Sequence, residues 1–440
     1  MIDRRQFSLG AALVALASCA RAPLDFATTP VSAGYGPLER DPAGLLDLPR
    51  GFSYRVISQF GERMSDGFVV PDRADGMGCF RLDARRVALV RNHELPVKNG
   101  KDGPFAGASA ATVRSYDRSS SGEVLPGGTT TVVYDMQTGQ VEAQHLSLVG
   151  TIRNCAGGTT PWGSWLSCEE DVTRAGSGVG KDHGWIFEVP TALRGVADPV
   201  PLTAMGRFNH EAAAVDPTTG IVYLTEDRDD GLFYRFLPNA RGRLSAGGRL
   251  QALAIDGLPD TRNRSAPLLA VQHPMRVRWI DLDGVDSAND DLRKRGATQG
   301  AALFARGEGV EFGDGALYFA CTSGGAAKLG QVFRYRPGSD GGRLDLFVES
   351  TDPATLNYGD NLTVAPNGHL IVCEDQYTDT VDNHLRGVTR DGRVYTLARL
   401  TMQTELAGAC FSPDGRTLFV NAYSPTKTLA ITGPWSSAIA

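Results

Sequence analysis

Three pairs of adjacent acids, Glu169-Glu170, Glu226-Asp227 and Glu374-Asp375, stand at the ends of short apolar runs. Single acids at Glu94, Glu211, Glu308, Asp360 and Glu405 occupy comparable edges. Carboxylates that converge in a confined space cannot all stay ionised unless cations neutralise them. Successive residues of a strand face opposite ways, so only one acid of each pair need reach a common centre. For any single pair a solvated sheet edge is the bland alternative, but a whole ring of such ends points to metal ions. Cys155 lies beside Gly157-Gly158 in the stretch NCAGGTTPWGSWLSCEE, where two glycines and a proline force a tight backbone. A thiolate there faces a metal, or else Cys155 is an ordinary buried thiol.

The elements that must position these groups repeat. Six apolar, β-branched runs end on polar residues: Val87–Glu94, Ser164–Glu170, Ile221–Arg228, Ala316–Ser323, Leu370–Gln376 and Thr417–Tyr423. Each follows a second short run that begins on polar groups, as in DGMGCF, NCAGG, HEAAAV, EGVEF, DNLTV and ELAGACF. Turn chemistry such as Asp216-Pro217-Thr218-Thr219-Gly220 and Pro366-Asn367-Gly368 joins the two runs as a hairpin. Six such units predict an all-β, six-bladed β-propeller with an acidic central metal site. A stacked two-sheet sandwich accommodates six equivalent hairpins poorly. The units average about 65 residues against roughly 40–45 for a minimal blade, so insertions are expected between Glu94 and Asn154 and between Arg228 and Glu308.

The expected organisation is a signal peptide with a lipobox over residues 1–18, a tether over 19–45 and one propeller domain over 46–440. Asp3-Arg4-Arg5-Gln6-Phe7 is a twin-arginine start, and Leu16-Ala17-Ser18-Cys19 reads as a lipobox that would acylate Cys19 and anchor the chain to a membrane. Export to the periplasm or cell envelope follows from that reading. A net charge of −6 gives no support to a nucleic-acid partner. The cysteines are scattered without a C-x-x-C pair, which argues against a disulfide framework, and Cys373 and Cys410 read as buried fillers. In Asn92-His93-Glu94 and Asn209-His210-Glu211 the H-E-x-x-H spacing of zinc sites is absent, and the histidines are expected to orient acids. Neither a G-x-S-x-G elbow nor a Walker loop is present.

The NCAGGTTPWGSWLSCEE stretch, together with RNHE, FNHEAAAVD, YLTEDR, DHGWIFEV and ELAGACFSPDGRTLFVN, resembles the PhoX-type alkaline phosphatase family over nearly the whole chain from Leu48 to Trp435. The resemblance implies a metal-dependent phosphatase acting as a monomer on small phosphomonoesters. Its site would hold Fe(3+) and Ca(2+), with Cys155 ligating iron and Glu211 and Glu308 binding the metals. Arg306 would face the phosphate and His183 would serve as a further active-site group. Glu94, Glu169, Glu170, Glu226, Asp227, Asp360, Glu374, Asp375 and Glu405 are the calcium candidates. The family's R-L-E-G is Arg306-Gly307-Glu308-Gly309 here. Two other readings stay open on the residues alone: a calcium-dependent lactonase or arylesterase, and a non-enzymatic envelope propeller stabilised by calcium.

Overall fold

The computed structural model describes residues 33–105, 109–265, 268–376 and 378–437. The twin-arginine segment, the lipobox and Cys19 lie outside these residues. Six short strands begin the repeating units: β1 (Ala74–Arg81), β2 (Asn154–Thr159), β3 (His210–Val215), β4 (Gly307–Gly313), β5 (Gly359–Val364) and β6 (Leu406–Phe411). Each pairs antiparallel with the next strand of the chain. Asx turns close several of these hairpins. Asp216 Oδ1, for example, accepts the Thr218 N–H at 2.8 Å, and Gly220 takes the left-handed φ of +77° that the turn requires.

Side by side, the six strands pack in the closed order β1-β2-β3-β4-β5-β6-β1. Each starts an antiparallel meander that runs outward, so the fold is all-β and propeller-like. The expected even division does not appear in the hydrogen-bonded sheets. There are five, of four, three, nine, six and four strands in chain order of β1, β2, β3, β5 and β6. The nine-stranded sheet contains the meanders of both β3 and β4. An inserted strand, Met275–Asp281, joins them by pairing with Arg343–Glu349. One short α-helix, Leu292–Thr298, belongs to the same insertion.

Between the β3 and β4 meanders the core is apolar and aromatic, as where Phe233 stacks on Phe319 with centroids 4.2 Å apart. The β6 sheet takes its fourth strand from the other end of the chain, Ser53–Gln59 against Lys427–Thr432. Residues expected to be tether are partly folded: Leu38–Glu39 pairs with Leu46–Pro49, and Tyr35 packs edge-on against Phe52 and Trp435. The six described cysteines are free, with Cys373 fully buried and Cys410 only partly so.

Candidate metal centre

Each inner strand starts with a break in its ladder. The register jumps between Ala74 and Met77, Asn154 and Gly157, His210 and Ala213, Gly307 and Val310, and Gly359 and Leu362. Inside these five bulges the second residue is Asp75, Cys155, Glu211, Glu308 or Asp360. A bulge re-aims the side chain that a regular ladder would send to one face or the other. Here it turns a metal-type donor from each of five successive units toward the axis. In β6 the jump falls between Ala407 and Cys410, where no donor is available.

Two further positions complete the wall. At the tip of each second strand stands Glu94, Glu170, Asp227, Thr322, Asp375 or Tyr423. Its N–H donates to the carbonyl of the residue immediately before the inner strand: Arg73, Arg153, Asn209, Arg306, Tyr358 and Glu405 respectively. Four of these six, Arg73, Arg153, Arg306 and Tyr358, adopt left-handed φ between 45° and 55°. Non-glycine residues persist in that region only where the surroundings over-determine them. In several units the residue before the inner strand reaches the tip of the preceding unit. Arg153 Nε donates to Glu94 Oε1 at 2.7 Å, Arg306 Nε to Asp227 Oδ1 at 2.7 Å, and Arg73 Nη1 to the Tyr423 hydroxyl at 3.1 Å.

Apart from Thr322, Asn209 and Tyr358, these residues line a cavity of about 430 Å³. Four donor triads overlap around it, with ligand atoms in each triad within 4.8 Å of one another. They are Asp75-Glu94-Cys155, Cys155-Glu170-Glu211, Glu211-Glu308-Asp360 and Asp360-Asp375-Glu405. Both carboxylate oxygens of Glu211 and Oδ1 of Asp75 are buried without a hydrogen-bond partner. Such orphaned acceptors are costly unless a proton or a cation satisfies them. Burial, and then Glu308 and Glu170, push Glu211 well above the usual carboxylate range. Burial and Asp360 do the same to Asp75, while burial and Asp375 raise Asp360 to about 7. Cys155, whose Sγ lies 3.7 Å from Asp75 Oδ2, is held protonated by burial and by Asp75. Cations in the triads would reverse each of these shifts. The donor set of carboxylate oxygens and one sulfur fits hard cations together with a transition metal.

The expected residues divide by position. Glu94, Cys155, Glu170, Glu211, Asp227, Arg306, Glu308, Asp360, Asp375 and Glu405 all line the cavity. The structure does not bring Glu169, Glu226 or Glu374 there. Each is the last ladder-paired residue of its strand, so its side chain points to the opposite face from the tip. Glu169 accepts from the Gly184 N–H at 3.0 Å and from His183 Nδ1 at 2.6 Å. Glu226 accepts from the Tyr234 hydroxyl at 2.6 Å, and Glu374 from Arg386 Nε at 2.8 Å. His183 is likewise not at the site: it is fully buried between Glu169 and Asp117, which lies 3.2 Å from Nε2. Nor do the other two histidines orient acids, for His93 bonds Thr130 and the Asp72 carbonyl while His210 bonds the Gly206 carbonyl.

Sequence reasoning left out Asp75, Arg73, Arg153, Tyr423 and Lys98, all of which line the cavity. Asp75 carried a usable signal, since it opens DGMGCF as Glu211 opens EAAAV and Asp360 opens DNLTV.

The chain matches the family model described as alkaline phosphatase PhoX over residues 33–142 and 125–426, and it belongs to that family. Among solved structures, Pseudomonas fluorescens PhoX in complex with vanadate, a transition state analogue, is similar with a TM-score of 0.70 at 19% identity. The match covers 91% of this chain and 98% of that one, and it bears on the fold. A gluconolactonase of Xanthomonas campestris is more distant, with a TM-score of 0.43 at 13% identity over 92% of this chain and 99% of its own. No curated protein sequence matches.

Proposed function

We propose that this PhoX-family chain hydrolyses small phosphomonoesters at a cluster of iron and calcium ions in the centre of a six-bladed β-propeller. The blade count takes the nine-stranded sheet as two blades joined by an inserted strand. The observation that carries the metal reading is Glu211, whose two buried oxygens have no partner although it belongs to two of the four donor triads. Cys155, Glu211 and Glu308 would hold iron. Glu94, Glu170, Asp360, Asp375 and Glu405 would hold calcium, with Asp75 joining Cys155. When bound, these cations supply positive charge for the phosphoryl oxygens and a Lewis acid for the reaction.

The chain's own residues supply position and charge. Asp227 holds the Arg306 guanidinium at the cavity wall through two bonds, which fixes its planar fork for a phosphate oxygen. Arg153 ties Glu94 to Glu170 and so sets two neighbouring carboxylates at a fixed separation. Pre-set charges of this kind need no reorganisation as negative charge builds on the transferring group. In the same reading the Arg4-Arg5 segment directs twin-arginine export to the periplasm or cell envelope, Cys19 is lipidated, and the folded body acts as a monomer.

Elemental analysis of the purified chain, paired with a phosphomonoester assay with and without chelator, tests the proposal. Iron and calcium with chelator-sensitive phosphatase turnover are expected. Calcium alone with turnover of lactones or aryl esters would replace the proposal with the lactonase reading. Metals without any turnover would leave the non-enzymatic envelope propeller stabilised by calcium.

A further inference from the structure

We infer that Arg73 and Lys98 form a second anion subsite at the seam between the first and sixth units, so that the best substrates are phosphomonoesters whose leaving group carries another anionic group. This rests on the phosphatase reading and adds to it the class of leaving group.

The donor triads do not close into a ring. They run from Asp75 through Cys155, Glu211 and Asp360 to Glu405, and among the described residues no triad spans Glu405 and Asp75. At that gap the tip position holds Tyr423 in place of an acid, and the residue preceding β1 is Arg73. The three cavity arginines therefore differ in their commitments. Arg153 is paired with Glu94 and Glu170, and Arg306 with Asp227 and Glu308. Arg73 instead donates to the Tyr423 hydroxyl at 3.1 Å and lies over the Tyr423 ring at 5.6 Å, with no ion pair to a described carboxylate. Glu94 and Asp72 act on Arg73 at longer range, Glu94 also through the Tyr423 hydroxyl. Its direct partner is a phenol, so its remaining N–H donors are free of any described carboxylate at ion-pair distance and can meet a ligand.

Lys98 extends the same sector outward. It is exposed, makes no ion pair among the described residues, and lines both the central cavity and an adjoining cavity of about 840 Å³. That second cavity also carries Lys101 and Arg118; among the described residues the Arg118 guanidinium donates only to backbone carbonyls, and Glu123 is the one acid in the wall. A path with a net excess of cations thus leaves the metal centre at the one gap in the acidic triads. A neutral leaving group gains nothing from these charges. A carboxylate or second phosphate on the leaving group would meet Arg73 at the seam and Lys98 at the junction of the two cavities.

Two phosphonates that are not hydrolysed, 2-carboxyethylphosphonate and propylphosphonate, separate the possibilities by calorimetry on the metal-loaded full chain. The carboxylated compound is expected to bind about tenfold more tightly, and Lys98→Met or Arg73→Gln to shrink that preference to about twofold or less. Equal affinities in the unaltered protein, or a preference that survives both substitutions, would overturn the subsite while leaving the phosphatase reading intact. If neither phosphonate bound, the cavity would not be a phosphate site, and both readings would fall together.

Discussion

Arg306 and Asp227 come from successive units and are joined by two parallel bonds, Nε to Oδ1 at 2.7 Å and Nη2 to Oδ2 at 2.9 Å. Arg306 also contacts its own unit's Glu308 at 3.0 Å. A lysine cannot reproduce that fork, so Arg306→Lys should lower kcat/KM for a simple phosphomonoester by about a hundredfold. Asp227→Asn keeps the guanidinium but loosens its hold, and a smaller loss of about tenfold, carried mainly by KM, is expected. Steady-state kinetics of the two variants side by side check the relation; an Asp227→Asn enzyme indistinguishable from the unaltered one would show that the pairing positions nothing.

Glu211 gives a separate test with two readouts. Glu211→Gln preserves side-chain volume but removes a charge from the most crowded part of the cavity. Iron content measured by elemental analysis should fall sharply. The chelated variant should nevertheless melt at a higher temperature than the chelated parent at pH 8, because one buried, repelled carboxylate is gone. Retention of iron would remove Glu211 from the ligand set.

Chelation should also reveal the cavity acids in the pH dependence of stability. Without cations, burial and mutual repulsion raise Asp75, Glu170, Glu211, Glu308 and Glu405 well above ordinary carboxylates and bring Asp360 to about 7. A raised folded-state pKa contributes stability that is complete below the unfolded value and lost as pH rises through the folded one. The melting temperature of the chelated protein should therefore fall as pH is raised from 5 through 7 and beyond, and added calcium should flatten the curve. A chelated protein that is equally stable at pH 5 and pH 8 would contradict the convergence of these acids.

His183 should matter to folding and not to phosphate chemistry. Burial alone would lower its pKa, but Glu169 and Asp117 outweigh burial and leave it raised. Removing it leaves two buried carboxylates with backbone donors and no counter-charge between them, so His183→Ala should cost about 3 kcal/mol near neutral pH. By the sign of the shift, that deficit shrinks as pH climbs through the raised value. Denaturant unfolding at pH 6 and pH 9, with KM measured on the folded variant, checks both statements.

Much of this site could be read in the chain before any coordinates. The hairpin units, the acid at one strand end and the donor at the next strand's start were all legible, because turn residues and apolar runs mark strand ends. Which member of each acid pair faces inward was not. Parity along a strand is set by the register of its partner, and Glu169 and Glu170 look alike until Asn154 is seen to pair with Glu169. The bulges were equally invisible: they add one residue to a strand without any distinctive residue type, and they decide that Asp75, Cys155 and Asp360 point to the axis. Arg73, Arg153 and Tyr423 were missed for a third reason, since each gains its role from a neighbouring unit, which is remote in sequence or, for Arg73 and Tyr423, 350 residues away.

The strand Ser53–Gln59 completes the sheet that ends the ring, and its Gln59 meets Lys427 across 368 residues of chain. During synthesis that strand must therefore wait, unpaired, until the residues around 430 have left the ribosome. Until then Glu94 has no Tyr423, and a chain that ends before Glu405 holds only part of the donor set. Such a chain would keep three of the four donor triads and lack the one that needs Glu405, so the last part of the site to be completed is the one beside the closing sheet.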